Sequence, residues 1–259
     1  MSFLLELALK MTMTAAIVVA ASVVAERSGP FIGAMVAALP TAAGAAYIIF
    51  AIEHPPSFIA SSAIGSIAAN SAVAIFSFAY AVLAQRHGVM TSLGGAMLIW
   101  FTCVAMFRTI DWTVPSVIVL SAFAFAILIP AGARYRTETN IKVETRASDI
   151  AWRALAVALC VVVVTAASYS IGSFASGIFA VFPVVISSVL VIIHLRLGGP
   201  AAGSVAAHVP EPLFGLGLGF AAVHYLAQPI GVWWSFAAGL AVCFAWSGVL
   251  WLVRKRGPA

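Results

Sequence analysis

The stretch from Gly29 to Pro40, GPFIGAMVAALP, returns 143 residues later as Gly172 to Pro183, GSFASGIFAVFP. The correspondence extends without a gap over residues 10–101 and 153–244, where 18 of the 92 aligned positions are identical. Alanine and valine are so abundant that chance supplies some matches, but glycine, proline and phenylalanine also recur in register. This pattern indicates that one structural unit is present twice.

Composition indicates a membrane protein. Hydrophobic residues make up 63% of the 259-residue chain and charged residues only 8%, with a mean hydropathy of +1.12. Such values are typical of chains whose main solvent is lipid. Apolar stretches of about 20 residues, the length that crosses the hydrocarbon core as a helix, predict an all-α polytopic transmembrane helix bundle of about nine spans. The predicted spans are residues 5–25, 31–52, 57–84, 89–108, 113–133, 151–170, 174–197, 201–227 and 231–253.

The predicted spans form a 4 + 1 + 4 arrangement. Residues 1–110 make the first four-helix repeat, residues 111–150 a linking transmembrane helix with a charged cytoplasmic connector, and residues 151–259 the second repeat. Because an odd span separates the copies, the second repeat is expected to be inverted relative to the first. Residues 5–25 are interpreted as a structural helix rather than a cleaved signal peptide, since they lack a basic leading region and have a repeat partner.

The basic residues predict the orientation. With the N-terminus outside, 11 of the 13 Lys and Arg residues fall on the cytoplasmic side, and only Lys10 and Arg108 fall outside. This distribution follows the positive-inside rule, so the C-terminus is expected in the cytoplasm. The net charge of +5 is therefore interpreted as an insertion signal and not as the footprint of a nucleic-acid partner. The lipid bilayer is the expected partner.

One proline recurs in both repeats. Pro40 and Pro183 each lie about ten residues into the second helix of their repeat. Proline removes a backbone hydrogen bond, and the carbonyl group that loses its donor must find another partner inside the membrane. The pair predicts a broken-helix framework shared by the two halves near the midplane. A simple packing kink is the alternative.

The most unusual local sequence is HVPEP at residues 208–212. Pro210 and Pro212 disrupt a regular helix, and they accompany two titratable side chains, His208 and Glu211. Ionisable residues within a membrane indicate a functional site, so Glu211 is a candidate proton carrier and His208 a candidate relay. In the alternative, span eight begins only at Leu213, which leaves the motif in a cytoplasmic loop.

A polar stripe marks span three. Ser62, Ser66, Asn70 and Ser77 share one helix face, because their spacings are four, four and seven residues. Serines in membrane helices often bond only to their own backbone, whereas the Asn70 amide brings four hydrogen-bonding positions that lipid cannot satisfy. Ser66 and Asn70 are therefore candidate substrate contacts. If spans three and eight meet near a pseudo-twofold axis, Asn70, His208 and Glu211 are expected to face one cavity.

Lys10 and Arg153 occupy equivalent positions at the start of spans one and six. Their side chains extend to the nearest headgroup layer in one interpretation. In the other, they are gating charges on opposite sides of the membrane.

The residues from Gly29 to Thr41, followed by an apolar run to Phe50, resemble the GlpM-like family of small four-span bacterial inner-membrane proteins. Residues 172–194 resemble the same pattern again, while the fifth span has no counterpart in that short form. The resemblance implies a multi-pass protein of the bacterial inner membrane that arose by fusion of two copies. It implies no substrate, cofactor or catalytic residue.

The sequence contains no phosphate-binding loop, dinucleotide fingerprint, nucleophile elbow or metal-ligand spacing, so no enzyme activity, cofactor or metal is expected. Cys103, Cys160 and Cys243 all fall within predicted spans and are interpreted as small packing residues. The favoured hypothesis is a secondary transporter with inverted repeats that moves a small polar or amphipathic metabolite, with Glu211 as the candidate for proton coupling. The alternatives are a passive channel, and a membrane scaffold or partner subunit that transports nothing.

Overall fold

The computed structural model describes residues 41–137 and 147–256, together with Thr12, Thr14 and Ala16. Of these residues 87% are helical, and none of them forms a strand, so the expected all-α class is confirmed for this part of the chain. Residues 31–40 of the predicted span at 31–52, all of the predicted span at 5–25 except Thr12, Thr14 and Ala16, and the residues Lys10 and Pro40 lie outside the described residues.

The described part contains nine helices. They are α1 (Thr41–Glu53), α2 (Pro56–Leu83), α3 (Val89–Phe107), α4 (Val114–Ala133), α5 (Ala147–Ala180), α6 (Val184–Leu197), α7 (Gly199–His208), α8 (Pro210–Leu226) and α9 (Val232–Arg256). Proline lies in the first turn of α2, α4, α7 and α8, where its fixed φ suits the helix and its missing N–H breaks no bond.

Five helical stretches in the described part are long and apolar enough to cross a membrane: Pro56–Leu83, Val89–Phe107, Val114–Ala133, Ser148–Leu197 and Val232–Lys255. The shorter apolar helix Ala42–Glu53 adds part of another predicted span. Two predicted spans share the 50-residue stretch Ser148–Leu197, and predicted span eight is divided into α7 and α8, of 10 and 17 residues. Length and hydropathy therefore yield several membrane-type helices.

Helix boundaries in the two parts of the chain repeat at the spacing of the sequence. An interval of 143 residues separates the starts of α2 and α7 and the starts of α3 and α9. The end of α2 at Leu83 and the end of α8 at Leu226 also differ by 143. The stretch that is one helix in the first part is therefore two helices in the second.

The helix α2 lies at the centre of the described bundle and packs against α1, α3, α4, α5, α7 and α8. Its sequence is rich in Ala, Ser and Gly, and small side chains let helix backbones approach closely in lipid. Nearly the whole length of α2 is buried inside the protein. Its polar stripe therefore faces other helices and not the bilayer.

The tightest crossing joins α2 to α5. A Cβ atom added at Gly177 would lie 1.8 Å from the carbonyl oxygen of Ser62, and one added at Gly65 would lie 2.0 Å from the carbonyl oxygen of Phe174. Any side chain larger than hydrogen is thus excluded from both positions. Two glycines, one on each helix, allow the backbones to touch.

Backbone breaks divide the long stretch that contains α5 and α6. Gly172 has φ 78° and ψ 169° inside α5, a conformation that residues with a Cβ rarely adopt. The chain leaves the helix again after Ala180, and Pro183 precedes the first residue of α6. The segment between these breaks packs against α2 through Gly177, so the breaks position the crossing.

Candidate functional site

The candidate site lies where α2 crosses the α7–α8 pair. Asn70 is fully buried there, and its Nδ2 donates a hydrogen bond to the carbonyl oxygen of Leu213 over 2.7 Å. Gly217, one turn further along α8, leaves room for the amide, since a Cβ atom at that position would lie 3.1 Å from Nδ2. The Asn70 Oδ1 atom has no partner among the described residues. A buried, unsatisfied acceptor in this position is open to a donor from a water or a solute.

The HVPEP motif divides α7 from α8 at Val209. Proline has no N–H, so the carbonyl groups of Ala206 and His208 lose the donors that a regular helix would supply from residues 210 and 212. The Val209 N–H bonds to the Ala206 carbonyl over 3.2 Å, and Val209 keeps helical dihedral angles, so the chain continues in helical conformation on both sides. The motif is thus helical and buried, unlike the expected alternative in which α8 begins at Leu213.

His208 is 4% exposed and lies at the end of α7. Its Nδ1 atom lies 2.8 Å from the carbonyl oxygen of Ser204, one turn earlier, and donates to it. This bond engages Nδ1 within its own helix. The other ring nitrogen is the one available for a proton relay.

Glu211 is held by two arginines. Its Oε1 atom accepts a hydrogen bond from Arg136 Nη1, and its Oε2 atom lies 3.8 Å from Arg254 Nη2. Arg136 also donates from Nε to the Ala207 carbonyl over 3.2 Å and from Nη2 to the Ile129 carbonyl over 3.1 Å. The guanidinium therefore ties the end of α4 to the break between α7 and α8. Both partners of the Arg136–Glu211 pair are largely shielded, with side chains 16% and 15% exposed.

The sequence did not identify the two arginines as site residues, because it assigned them only to the positive cytoplasmic side. A signal was nevertheless present. A carboxylate in an apolar helix must have a cation near it, and such pairs come from positions that fall at the same depth of the membrane. Arg136 and Arg254 are basic residues that closely follow the predicted spans 113–133 and 231–253.

Ser66 has a packing role in the structure. Its hydroxyl donates to the Gly177 carbonyl over 2.8 Å and accepts a hydrogen bond from the Tyr47 hydroxyl, also over 2.8 Å. Ser66 therefore connects α1 and α5 through α2. On the same face, Ser77 bonds to its own helix at the Val73 carbonyl, and the Ser62 hydroxyl has no partner among the described residues.

Pro183 and Arg153 each form hydrogen bonds with a serine in the first turns of α6. Pro183 stands immediately before the helix, and its carbonyl oxygen accepts hydrogen bonds from the backbone N–H of Ser187 over 2.9 Å and from its hydroxyl over 2.6 Å. Arg153 is 3% exposed and donates from Nε to the Ser188 hydroxyl over 3.0 Å. Arg153 therefore lies inside the bundle, whereas the expectation of a side chain extended to the headgroups required an exposed one.

The structure brings the expected candidates near one another but gives each a separate partner. Asn70 contacts α8 less than one turn beyond Glu211, and His208 lies one turn before it. The Asn70 amide uses the Leu213 carbonyl, His208 the Ser204 carbonyl, and Glu211 the two arginines. Within residues 41–137 and 147–256, no group of three or more His, Cys, Asp or Glu residues is placed to hold a metal ion.

A second set of contacts between α2 and the α7–α8 pair is reciprocal. The His224 Nδ1 atom donates to the Ala60 carbonyl over 2.8 Å near one end of the crossing. At the other end Gly203 packs on Ala81, with an added Cβ only 3.1 Å from the Ala81 carbonyl oxygen. Gly203 is Ala60 plus 143, and His224 is Ala81 plus 143. Ala60 thus contacts His224, and the counterparts of these two residues, Gly203 and Ala81, contact each other.

Comparison of the chain with protein-family models, with curated proteins and with solved structures finds no match.

Proposed function

We propose that the protein is a secondary membrane transporter built from two equivalent halves in an inverted 4 + 1 + 4 arrangement. The observation on which the proposal rests is the hydrogen bond from Asn70 to Leu213. These residues are equivalent positions of the two halves, separated by the same 143 residues as the helix starts. Equivalent positions meet only on a twofold axis, so this contact supports an axis that passes through the crossing of α2 with α8.

The reciprocal contacts support the same axis. In a twofold interface, if residue i of one half contacts residue j of the other, then residue j of the first half contacts residue i of the second. The pair Ala60 and His224 and the pair Ala81 and Gly203 obey this rule. They lie on either side of the axial Asn70–Leu213 contact. One end of the crossing can then open while the other stays closed.

Broken helices at the crossing support a transport role over a purely structural one. Transporters with inverted repeats bind solute near the midplane, where interrupted helices expose backbone groups. Here Pro212 removes the donor that a regular helix would give the His208 carbonyl, and Asn70 adds an unsatisfied Oδ1 atom on α2. All of these atoms are hydrogen-bond acceptors. The expected solute is accordingly a small polar or amphipathic metabolite with hydrogen-bond donors such as hydroxyl or amino groups.

Glu211 and Arg136 form the cytoplasmic latch of the proposed transporter. In the proposed orientation the basic ends of α4 and α9 lie in the cytoplasm, and the Arg136–Glu211–Arg254 cluster closes that side. Protonation of Glu211 removes the charge that attracts both arginines. Proton binding and opening are coupled in this way, with Glu211 as the proton carrier and the arginines as the groups released.

Solute binding is tested by thermal unfolding of the full-length purified chain against pools of metabolites at two pH values. A ligand at about a hundred times its Kd stabilises the folded state by about 2.7 kcal/mol, enough to raise Tm by several degrees. Any compound that stabilises the protein is then assayed for saturable uptake into proteoliposomes under a proton gradient.

Alternating access is tested with cysteine pairs in a variant that has Cys103, Cys160 and Cys243 replaced by alanine. One pair combines Ala60→Cys with His224→Cys, and the other combines Ala81→Cys with Gly203→Cys. Cross-linking either pair is expected to stop uptake, and reduction to restore it. Uptake that persists with both ends cross-linked would contradict alternating access, uptake without saturation would favour a passive channel, and no uptake of any stabilising compound would favour a scaffold.

A further inference from the structure

An apolar cavity of about 120 Å³ lies between α1, α8 and α9. It is separate from the polar crossing of α2, and none of Asn70, His208 or Glu211 is in its lining. Its lining includes Gly44, Tyr47, Gly219, Phe220, Gly239 and Cys243. Gly219 and Gly239 bring α8 and α9 together, since a Cβ atom added at Gly219 would lie 2.9 Å from the Gly239 carbonyl oxygen.

The lining of the cavity is almost entirely apolar. Tyr47 packs its ring against Phe220 with centroids 5.5 Å apart, and against Phe236 with centroids 5.9 Å apart. The one hydroxyl of this wall donates to Ser66 outside the cavity. A water molecule needs two or more polar partners, and an apolar cavity of about 150 Å³ stays dry and accepts a benzene-sized guest. The chemistry of this cavity therefore favours an apolar occupant.

The equivalent place in the other half is filled with protein. Gly219, Gly239 and Cys243 correspond at the interval of 143 to Phe76, Ala96 and Trp100. All three counterparts are completely buried. The Trp100 ring packs against Phe182 with centroids 5.1 Å apart. Small residues of α8 and α9 thus line the cavity at positions where the first half has a phenylalanine and a tryptophan.

The cavity lies at the depth of lipid tails. Gly239 and Cys243 stand about 10 and 16 Å from the beginning of α9 at 1.5 Å per residue, within a hydrocarbon core that is about 30 Å thick. Leu240 also belongs to the lining and is 44% exposed among the described residues. The cavity therefore meets the apolar outer surface of the bundle at the level of acyl chains, well away from headgroups.

We infer that the cavity between α1, α8 and α9 binds part of an acyl chain of a bilayer phospholipid. The occupant fills the space that the Trp100 ring takes in the first half. This inference does not depend on transport, because it rests on the shape and chemistry of the cavity alone.

The test uses the full chain in lipid nanodiscs that contain phosphatidylcholine with a photoreactive diazirine in one acyl chain. After illumination, labelled peptides are identified by mass spectrometry. Cavity-lining residues of α1 and α8 are expected to carry label. Two variants fill the cavity, Cys243→Trp from α9 and Gly44→Leu from α1. Each is expected to lower that labelling about tenfold, which is what losing the burial of roughly two methylene groups gives.

The matched control is Gly248→Leu. Gly248 is exposed on α9 outside the cavity, and a Cβ atom added there meets no atom within 4 Å. The same is true of a Cβ atom at Gly44, so Gly44→Leu remains informative if the bulkier Cys243→Trp does not fold. Labelling that is equal in the filled variants and the control, or that is absent from the lining residues of the unaltered protein, would overturn the inference. The converse variant, Trp100→Cys, removes the ring that fills the equivalent place in the first half, so new labelling of α3 is expected.

Discussion

Asn70 Nδ2 donates to the carbonyl oxygen of Leu213 over 2.7 Å, so that two residues 143 positions apart bond directly to each other. The opposite atom of the same amide, Oδ1, is buried without a partner among the described residues. One atom of the amide thus contributes to packing, and the other is the atom proposed to bind solute.

Asn70→Leu is expected to change the free energy of unfolding by no more than about 1 kcal/mol, because loss of one hydrogen bond is offset by removal of an unsatisfied buried oxygen. The same variant is expected to abolish the rise in Tm that a solute produces. Both quantities come from thermal unfolding with and without the compound. Ser77→Ala, which loses only a bond to its own helix, is the control and should leave the solute effect intact.

Glu211→Gln and Arg136→Gln are each expected to destabilise the protein by about 3 kcal/mol, because the first leaves Arg136 without its shielded counterion and the second leaves Glu211 with only the more distant Arg254. The double variant is expected to lose less than the sum of the two, with a coupling free energy of about 2 kcal/mol in a double-mutant cycle. Chemical unfolding in detergent measures all four proteins. Strictly additive losses would show that the two side chains do not interact. Arg254, at 3.8 Å, should couple to Glu211 more weakly.

His54 predicts an acid-dependent loss of stability. It lies between α1 and α2, stacks on Phe58 with centroids 3.8 Å apart, and places Nε2 2.7 Å from the Ser168 hydroxyl of α5. Burial lowers the pKa of His54 below its usual value of 6.5, an effect that the charge of Glu53 partly opposes. The folded state then binds fewer protons than the unfolded chain. The contribution of neutral His54 to the free energy of unfolding is therefore present above pH 6.5 and is lost as the pH falls below that value.

The pH dependence is measured by unfolding across the acid range. His54→Gln keeps a hydrogen-bonding group beside Ser168 and is expected to flatten the profile near and below pH 6.5. His87→Gln, in an exposed turn, should leave it unchanged. A profile that is identical in the His54 variant and the unaltered protein would exclude His54 as the source.

Gly65→Ala and Gly177→Ala are each expected to destabilise the protein by about 3 kcal/mol or more, because the added methyl group overlaps a backbone carbonyl at the α2–α5 crossing. Gly44→Ala, where the methyl group meets no atom within 4 Å, is the control on a neighbouring helix. It is expected to stabilise by about 0.5–1 kcal/mol through the better helix propensity of alanine. Equal effects at the three positions would contradict the close approach at the crossing.

Much of the fold was accessible from the sequence. Composition and apolar runs predicted an all-α chain with membrane-type helices, and the structure confirms both for the described residues. The interval of 143 residues, found in the sequence, also separates the starts of α2 and α7 and of α3 and α9. Hydropathy alone did not predict where the helices are interrupted, because it is insensitive to a backbone break such as Gly172 or to the division at Val209.

The candidate site was accessible only in part. HVPEP and Asn70 were identifiable because prolines and an amide are costly in an apolar helix. Their partners were not, because a side chain in apolar surroundings bonds to whatever carbonyl or charge is nearest in three dimensions. Asn70 thus bonds to Leu213 and Glu211 to Arg136, where one shared cavity had been expected. Arg136 follows a different helix, and no local sequence pattern connects it to α8.

The contact of Gly177 with Ser62 also limits how the protein can move. Sliding α5 along α2 by one residue, about 1.5 Å, would press the Ser62 carbonyl against a neighbouring side chain instead of against glycine. The second close contact, of Gly65 with the Phe174 carbonyl, fixes the same register at another point. Any large rearrangement of the bundle is therefore expected to carry α2 and the segment 174–180 together as one rigid lever.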